Sequence, residues 1–245
     1  MKSSNYDLKA VLKATAVGFG LLGIPAVAET PQSTTAFDQQ VRDALLRNPE
    51  IILEVFALLE QKEVAAKAVK DQDLIASVAD DLFVGLDPEK PILVEFQDYN
   101  CGYCRKSHAT VAALREEMPD LQFVTMEMPI LNEGSKYTAQ AALALKELEG
   151  PEAYQTFANA MMGGTEPANV TTVLQTLTDL GFDTEAVVQA VKDGKGADEL
   201  QRARDLADAL GVTGTPYFIG PAGISRGAAS LEQLKALSTY PTTES

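Results

Sequence analysis

A short apolar run followed by two closely spaced cysteines is the feature that most constrains this chain. Residues 92–96, Ile-Leu-Val-Glu-Phe, have the composition of a buried β-strand. The motif Cys101-Gly102-Tyr103-Cys104 follows after a short polar segment, and the sequence then has a helical pattern as far as Glu117. This order places two thiols between a strand and the first turn of a helix.

Redox chemistry explains this motif better than a structural crosslink does. A disulfide stabilises a fold more when it closes a longer loop, and this loop is minimal. The unpaired N–H groups and the dipole at a helix N-terminus favour the thiolate form of the first cysteine. We therefore expect Cys101 to be an exposed catalytic nucleophile. Cys104, one turn inside the helix, would be the less accessible thiol that closes a redox-active disulfide with Cys101.

Metal binding is the alternative use of these thiols. Cys104 and His108 are four residues apart on one helix face, and with Cys101 they would offer three ligands. A structural zinc site usually has four, and the chain has two cysteines and one histidine in total. Cu(I) accepts fewer ligands. We expect no metal and no other cofactor, with a copper site at these three residues as the alternative.

Glu95 interrupts the apolar strand that precedes the motif. Burial beside Val94 and Phe96 would raise the pKa of its carboxyl group and allow it to exchange protons with Cys104. We therefore expect Glu95 to be a catalytic residue. Asp98 and Asn100 have side chains that are typical of turns and helix caps.

The first 28 residues have the layout of a secretory signal peptide. Lys2, Lys9 and Lys13 precede an uncharged, mostly apolar run over residues 14–24, and Ala26-Val27-Ala28 has the small residues of a cleavage site. The run is shorter than the roughly 20 residues that a membrane-spanning helix needs. We expect residues 1–28 to direct export to an oxidising compartment.

The rest of the chain is predicted to be an α/β protein with a helical insertion. We expect a linker at 29–36, an N-terminal helical segment at 37–86, and a domain at 87–240 with a helical insertion at about 132–211. Apolar residues are dense over 51–59. The helix over residues 37–82 would pack either on its own domain or against a second copy of the chain.

The charge balance excludes one class of partner. Twenty basic and 35 acidic side chains give a net charge of −15. Nucleic-acid binding needs a clustered surplus of Lys and Arg, so we expect no nucleic-acid partner.

A distant proline completes a family resemblance. Thr215-Pro216 precedes the apolar run Tyr217-Phe218-Ile219, and thioredoxin-fold proteins pair C-x-x-C with a cis-proline at the start of a strand. The order of elements resembles the DsbA-like thiol–disulfide oxidoreductases of the bacterial periplasm. Residues 96–104 are most similar to the ScsC/Com1-type branch, which also has an N-terminal helical segment. The resemblance covers roughly residues 37–237.

This resemblance implies a thioredoxin fold with an inserted helical domain and an N-terminal helical segment. It implies an enzyme that forms, reduces or isomerises disulfides in cysteine-containing exported proteins of the periplasm, with a membrane redox partner. Thr215 and Pro216, together with Gly102 and Tyr103, would bind the substrate, and Glu95 matches the family's buried acid. Gly-Tyr replaces the Pro-His of the family's strongest oxidase, and Thr215 precedes Pro216 as in isomerase-type relatives. The motif therefore leaves the direction of electron flow open.

Overall fold

The structure, a computed structural model, describes residues 35–240. The predicted signal peptide at 1–28 and residues 29–34 of the predicted linker lie outside this range. The described residues form nine helices and four strands, in this order: α1 (Ala36–Arg47), α2 (Glu50–Leu82), β1 (Ile92–Gln97), α3 (Gly102–Glu117), β2 (Gln122–Glu127), α4 (Glu133–Glu149), α5 (Pro151–Gly163), α6 (Val170–Asp179), α7 (Thr184–Lys192), α8 (Ala197–Ala209), β3 (Tyr217–Gly220), β4 (Gly223–Arg226) and α9 (Leu231–Ser238).

The chain divides into two compact units at Phe56 and Ala57. The first unit holds α1 and the beginning of α2. Thr35 caps α1, since its side chain accepts from the N–H of Asp38 while the Asp38 carboxylate accepts from the N–H of Thr35. No residue of α1 is buried.

The second unit is built on a mixed sheet with the strand order β2-β1-β3-β4. β1 runs parallel to β2 and antiparallel to β3, and β3 forms an antiparallel hairpin with β4. The expected α/β fold is therefore present, with α4 to α8 inserted between β2 and β3. All six residues of β1 are buried, as its central place in the sheet requires.

Side-chain alternation along β1 assigns the two faces of the sheet. Val94 and Phe96 belong to one core, which also includes residues of the C-terminal part of α2 and of α8. Leu93 belongs to a second core on the other face, with Leu114 of α3 and Leu234 of α9. Glu95 is two residues from Leu93 and therefore points to the same face as Leu93, the face that α3 covers.

An ion pair fastens α2 to the far edge of the sheet. Asp71 is buried and accepts two hydrogen bonds from the Arg226 guanidinium, at 2.6 and 2.9 Å. One helical position further, the Gln72 amide donates to the carbonyl of Pro221 at 3.1 Å.

In the part of the chain that is described, no helix is both long and apolar enough to cross a membrane.

Gly220 gives a test of the packing between β3 and α9. A Cβ atom at this position would overlap the backbone carbonyl of Leu237 and approach that of Ile92. We expect Gly220→Ala to lower the free energy of unfolding, measured by urea denaturation, by at least about 1–3 kcal/mol. Gly163→Ala is the control, because a Cβ at the end of α5 meets no atom within 4 Å. Equal urea midpoints for the two variants would contradict this account of the packing.

Candidate active site

The two cysteines lie at the beginning of α3. β1 ends at Gln97, a turn joins the carbonyl of Asp98 to the N–H of Cys101 at 3.0 Å, and the helix starts at Gly102. Cys101 is the N-cap residue, and its sulfur accepts the backbone N–H of Cys104 at 3.3 Å. A sulfur in this position receives one of the N–H groups that a helix N-terminus leaves unpaired, which stabilises negative charge on it.

The sheet topology brings a distant segment to the first cysteine. β3 pairs antiparallel with β1, with Tyr217 opposite Phe96, so the chain entering β3 lies beside the chain leaving β1. The Thr215–Pro216 peptide bond in that entering segment is cis, as expected from the sequence. The sulfur of Cys101 donates a hydrogen bond to the carbonyl of Thr215 at 3.1 Å.

The burial of Cys101 corrects one expectation. Its exposed fraction is 7%, against 2% for Cys104, so Cys101 is the more accessible thiol but is not an exposed one. The cause is the packing of the Thr215 segment against its sulfur. Gly102 and Tyr103, the two residues between the cysteines, are exposed.

The second cysteine favours its protonated form. Burial raises the pKa of the Cys104 thiol well above its usual range, and hydrogen bonds from the Asp98 backbone and the Thr215 side chain oppose this only in part. Cys104 therefore holds its proton unless a nearby group accepts it.

Glu95 lies on the face of β1 that α3 covers, and it is 5% exposed. Burial raises the pKa of its carboxyl group to about 8, while the positive charge of Arg115 lowers it and the negative charge of Glu127 raises it further. No hydrogen bond to the carboxyl group is present among the described residues. A carboxyl group with this pKa can both donate and accept a proton near neutral pH.

Hydrogen bonds to the helical insertion hold both flanks of the cysteine motif. The Asn100 side chain donates to the carbonyl of Ala168 and accepts its N–H, both at 2.9 Å, and it also donates to Ser135. Arg105 donates to the carbonyls of Tyr99, Gly164 and Glu166, at 2.6 to 3.0 Å. The motif is therefore fixed to the insertion immediately before its first cysteine and immediately after its second.

Asp98 is a turn residue, as its type predicts, but it also reaches a distant loop. One carboxylate oxygen accepts from the N–H of Asn100 and the hydroxyl of Ser135, both at 2.7 Å. The other oxygen accepts the N–H groups of Ile130 and Leu131, at 2.9 and 3.0 Å. The sequence offers no signal for these long-range bonds.

A buried cluster of one carboxyl group and two phenols was not predicted. Glu127 accepts the hydroxyl hydrogens of Tyr99 and Tyr154, both at 2.7 Å, and the Gln97 amide at 3.3 Å. Burial raises the pKa of Glu127 to about 7, and these hydrogen bonds lower it in part. The sequence contains one signal for Glu127. It is a charged residue at the end of an alternating strand pattern, directly before Met128-Pro129.

The structure does not assemble the alternative metal site. Within residues 35–240, no three side chains among His, Cys, Asp and Glu are grouped so that they could hold a metal ion. His108 instead lines a cavity with Glu95 and Arg115. Burial, and next the charge of Arg115, lower the pKa of His108.

Comparison with known families agrees with this geometry. Residues 92–237, more than half of the chain, match the family described as DSBA-like thioredoxin domain. The chain belongs to this family. Residues 34–66 also match the family described as copper resistance protein ScsC N-terminal domain. The resemblance expected from the sequence is therefore confirmed.

Solved structures of this family share the fold. The thiol-disulfide exchange protein alpha-DsbA2 from Wolbachia pipientis is 26% identical, with a TM-score of 0.63, over 69% of this chain and 94% of that protein. A thioredoxin-like oxidoreductase from Silicibacter pomeroyi is 35% identical, with a TM-score of 0.57, over 63% of this chain and 92% of its own. Proteus mirabilis ScsC in a transitional conformation is 25% identical, with a TM-score of 0.59, over 86% of this chain and 95% of that protein.

Curated relatives match over part of their length. The Na(+)/H(+) antiporters NhaA 3 of Salinispora tropica and NhaA 1 of Salinispora arenicola are each 24% identical, over 166 and 169 residues. The match spans about a quarter of those proteins, 25% and 26% of their length. The DSBA-like fold is that of thiol–disulfide exchange proteins, and this chain has it.

The raised pKa of Glu95 predicts a dependence of stability on pH. Between pH 4.5 and about 8 the folded state keeps a proton on Glu95 that the unfolded state releases, so this group makes the fold less stable as pH rises through that window. We expect the free energy of unfolding of Glu95→Gln, which cannot ionise, to rise by about 5 kcal/mol relative to that of the natural protein between pH 4.5 and 8. Above pH 8 the difference should stay constant.

Urea denaturation at pH 5, 6, 7, 8 and 9 measures this difference. Glu89→Gln, a change at an exposed turn residue, is the matched control and should give a curve parallel to that of the natural protein. Parallel curves for Glu95→Gln as well would show that Glu95 is ionised in the fold across this range.

Proposed function

We propose that this protein is an exported thiol–disulfide oxidoreductase of the periplasm, with Cys101-Gly102-Tyr103-Cys104 as its active site. The position of the Cys101 sulfur carries the proposal, since it accepts an N–H at the start of α3 and lies 3.1 Å from the carbonyl of Thr215. Membership of the DSBA-like family supports thiol–disulfide exchange. The sequence of residues 1–28 supports export.

The proposed cycle moves one pair of electrons. A substrate thiolate attacks the Cys101 sulfur of the oxidised enzyme, which breaks the Cys101–Cys104 bond and releases Cys104 as a thiolate. A second substrate thiolate then attacks the substrate sulfur of this mixed disulfide and releases the Cys101 thiolate. The substrate gains a disulfide and the cysteine pair is reduced. Reduction of a substrate follows the same steps in reverse, and a membrane redox partner would restore the pair.

Glu95 would serve the second cysteine in this cycle. Its carboxyl group carries a proton near pH 7 because burial raises its pKa to about 8. It can therefore give a proton to the Cys104 thiolate as that thiolate leaves, and take the proton back when Cys104 attacks. The raised pKa of Cys104 makes such assistance necessary in the second direction.

Thr215 and Pro216 would bind the substrate beside the reacting sulfurs. The Thr215 backbone lies next to Cys101, and an extended substrate chain can pair with it as an added strand does. Gly102 and Tyr103 are exposed in the first turn of α3 and would contact the substrate's side chains. The substrates would be exported proteins with cysteines, and the proposal includes oxidation, reduction and isomerisation without choosing among them.

Cysteine variants test the proposed active site. We expect Cys101→Ser to abolish oxidation, reduction and the refolding of a scrambled disulfide protein. Cys104→Ser should instead accumulate mixed disulfides on Cys101, visible on a non-reducing gel, because no second thiol releases them. The matched control is Ser107→Ala. Ser107 lies in the same helix as the cysteines, and its buried hydroxyl forms no hydrogen bond within the described part of the chain. Unchanged activity in Cys101→Ser would refute the proposal.

Copper binding is the second candidate. The family matched by residues 34–66 is described as the N-terminal domain of the copper resistance protein ScsC. The two thiols of Cys101 and Cys104 would offer Cu(I) a soft ligand pair. Equilibrium dialysis of the reduced protein against Cu(I) separates the candidates. Tight stoichiometric binding by a protein without redox turnover would favour the copper function over the oxidoreductase.

We further propose that residues 37–82 join copies of this chain. In the first unit, apolar side chains of α1 and of the beginning of α2 line an open groove of about 560 Å³. Leu53 is 70% exposed and Phe56 is 64% exposed. A surface this apolar is costly in water unless another surface covers it, and a second copy offers the same apolar face.

Light scattering tests this assembly. We expect the purified protein to have a mass that is a multiple of the protomer mass at micromolar concentration. The double variant Leu53→Asp, Phe56→Asp should be monomeric, because it places charges in the apolar face. Val84→Asp, at an exposed position after α2, is the matched control and should leave the mass unchanged. A monomeric natural protein would refute the proposal.

A further inference from the structure

A cavity of about 240 Å³ lies between α3, α5 and the strands β1 and β2. Its polar lining includes Glu95, His108 and Arg115, and its apolar lining includes Val111 and Met162. Exposed residues of α3 and α5, such as Asn159, mark its opening to solvent. The cavity is therefore enclosed at Glu95 and accessible from outside, and it combines a charged group with apolar walls.

Arg115 brings a positive charge to this cavity without a negative partner. Its guanidinium stacks on the ring of Phe123, 4.3 Å from the centroid, and Nη1 donates to the Gln155 side-chain oxygen at 2.6 Å. Both partners are neutral. Among the described residues, no carboxylate oxygen forms an ion pair with Arg115 within 4.0 Å. An arginine stays charged in proteins, so this cation is left to be neutralised by something else.

Glu95 does not provide that neutralisation near pH 7. It lines the same cavity, is more than nine-tenths buried, and has no hydrogen-bond partner among the described residues. With the pKa of its carboxyl group raised to about 8, it is protonated at neutral pH and acts as a hydrogen-bond donor. The cavity thus presents one cation and one O–H donor, both of which need an acceptor.

We propose that this cavity binds a small organic carboxylate, whose oxygens accept hydrogen bonds from Arg115 and from the carboxyl group of Glu95. A carboxylate has one negative charge and two acceptor oxygens, which match one guanidinium and one O–H donor. Its hydrocarbon part would contact Val111, Ala158 and Met162. An inorganic phosphate would bring more charge than one cation neutralises and no apolar part for these walls.

The chain's overall negative charge does not prevent this binding. Charges in water are screened beyond about 10 Å at 0.1 M salt, so the local charge of the cavity decides. The charges that act on Glu95 are those of Arg115 from α3 and Glu127 from β2. His108 of α3 lines the same cavity, and α5 contributes the uncharged amides Gln155 and Asn159. The lowered pKa of His108 keeps it neutral near pH 7.

Linkage gives the proposal a pH signature. A carboxylate that accepts a hydrogen bond from protonated Glu95 binds that form of the protein and is repelled by the ionised form. The affinity of the carboxylate should be constant between about pH 6 and 7, where the ligand is ionised, and fall above pH 8, by up to about tenfold per pH unit. Glu95→Gln keeps an N–H donor at this position and should bind with no such fall.

Nuclear magnetic resonance of the full chain with labelled methionine methyl groups tests the proposal. We expect acetate, butanoate and benzoate to shift the Met162 methyl signal saturably, with a Kd below about 10 mM, and to leave that of Met118 unshifted. Arg115→Gln should weaken binding at least tenfold, and Arg115→Lys, which keeps the charge, should weaken it less. Arg204→Gln removes an exposed positive charge elsewhere and is the matched control.

Three results would overturn the proposal. They are the absence of a saturable Met162 shift with all three carboxylates, equal binding by Arg115→Gln and the natural protein, and tighter binding of phosphate than of any carboxylate. The readout in the natural protein stands even if an Arg115 variant does not fold. None of these measurements involves the redox reaction of Cys101 and Cys104, so the proposal and the oxidoreductase function can fail independently.

Discussion

The contact between the Cys101 sulfur and the Thr215 carbonyl is the constraint on which this structure depends. Cys101 lies shortly after the end of β1, and Thr215 lies shortly before the beginning of β3. The two residues meet because β1 and β3 are antiparallel neighbours. A parallel pairing would place the two segments at opposite ends of the sheet. The α3 N-terminus then supplies the N–H that the sulfur accepts. The local chemistry of one thiol is thus determined by the topology of the sheet.

The helical insertion takes part in the same arrangement. Asn100 and Arg105 flank the cysteine motif, and they bond to backbone groups of residues 164–168, between α5 and α6. Each of these backbone groups is paired with one of these two flanking side chains and not with a regular helix or strand. A displacement of the insertion would therefore break hydrogen bonds on both sides of the cysteines. The insertion supports the reacting loop as well as adding bulk to the fold.

Local sequence patterns predicted the helices and strands of the site, but not the long-range contacts that its side chains make. The buried run before the motif and the helix that ends at Glu117 could be predicted because each has a short-range signal. The cis peptide bond before Pro216 was expected from the family resemblance, which pairs the cysteine motif with a distant proline. The partners of Tyr99 and Asn100 could not, since they lie 28 and 68 residues away. The burial of Cys101 was missed for the same reason, because the segment that covers it is 114 residues further along the chain.

The two buried acids of the sheet show how surroundings separate similar groups. Glu95 lies on β1 and Glu127 on the neighbouring strand β2, and burial raises the pKa of both carboxyl groups, to about 8 and about 7. Glu127 is held by two phenols and an amide, which favour its charged form and fix its side chain between β2 and the insertion. Glu95 has no such donors and faces a cavity. The proposed proton exchange is therefore assigned to Glu95, whereas a change of charge on Glu127 would disturb its hydrogen bonds with Tyr99, Tyr154 and Gln97.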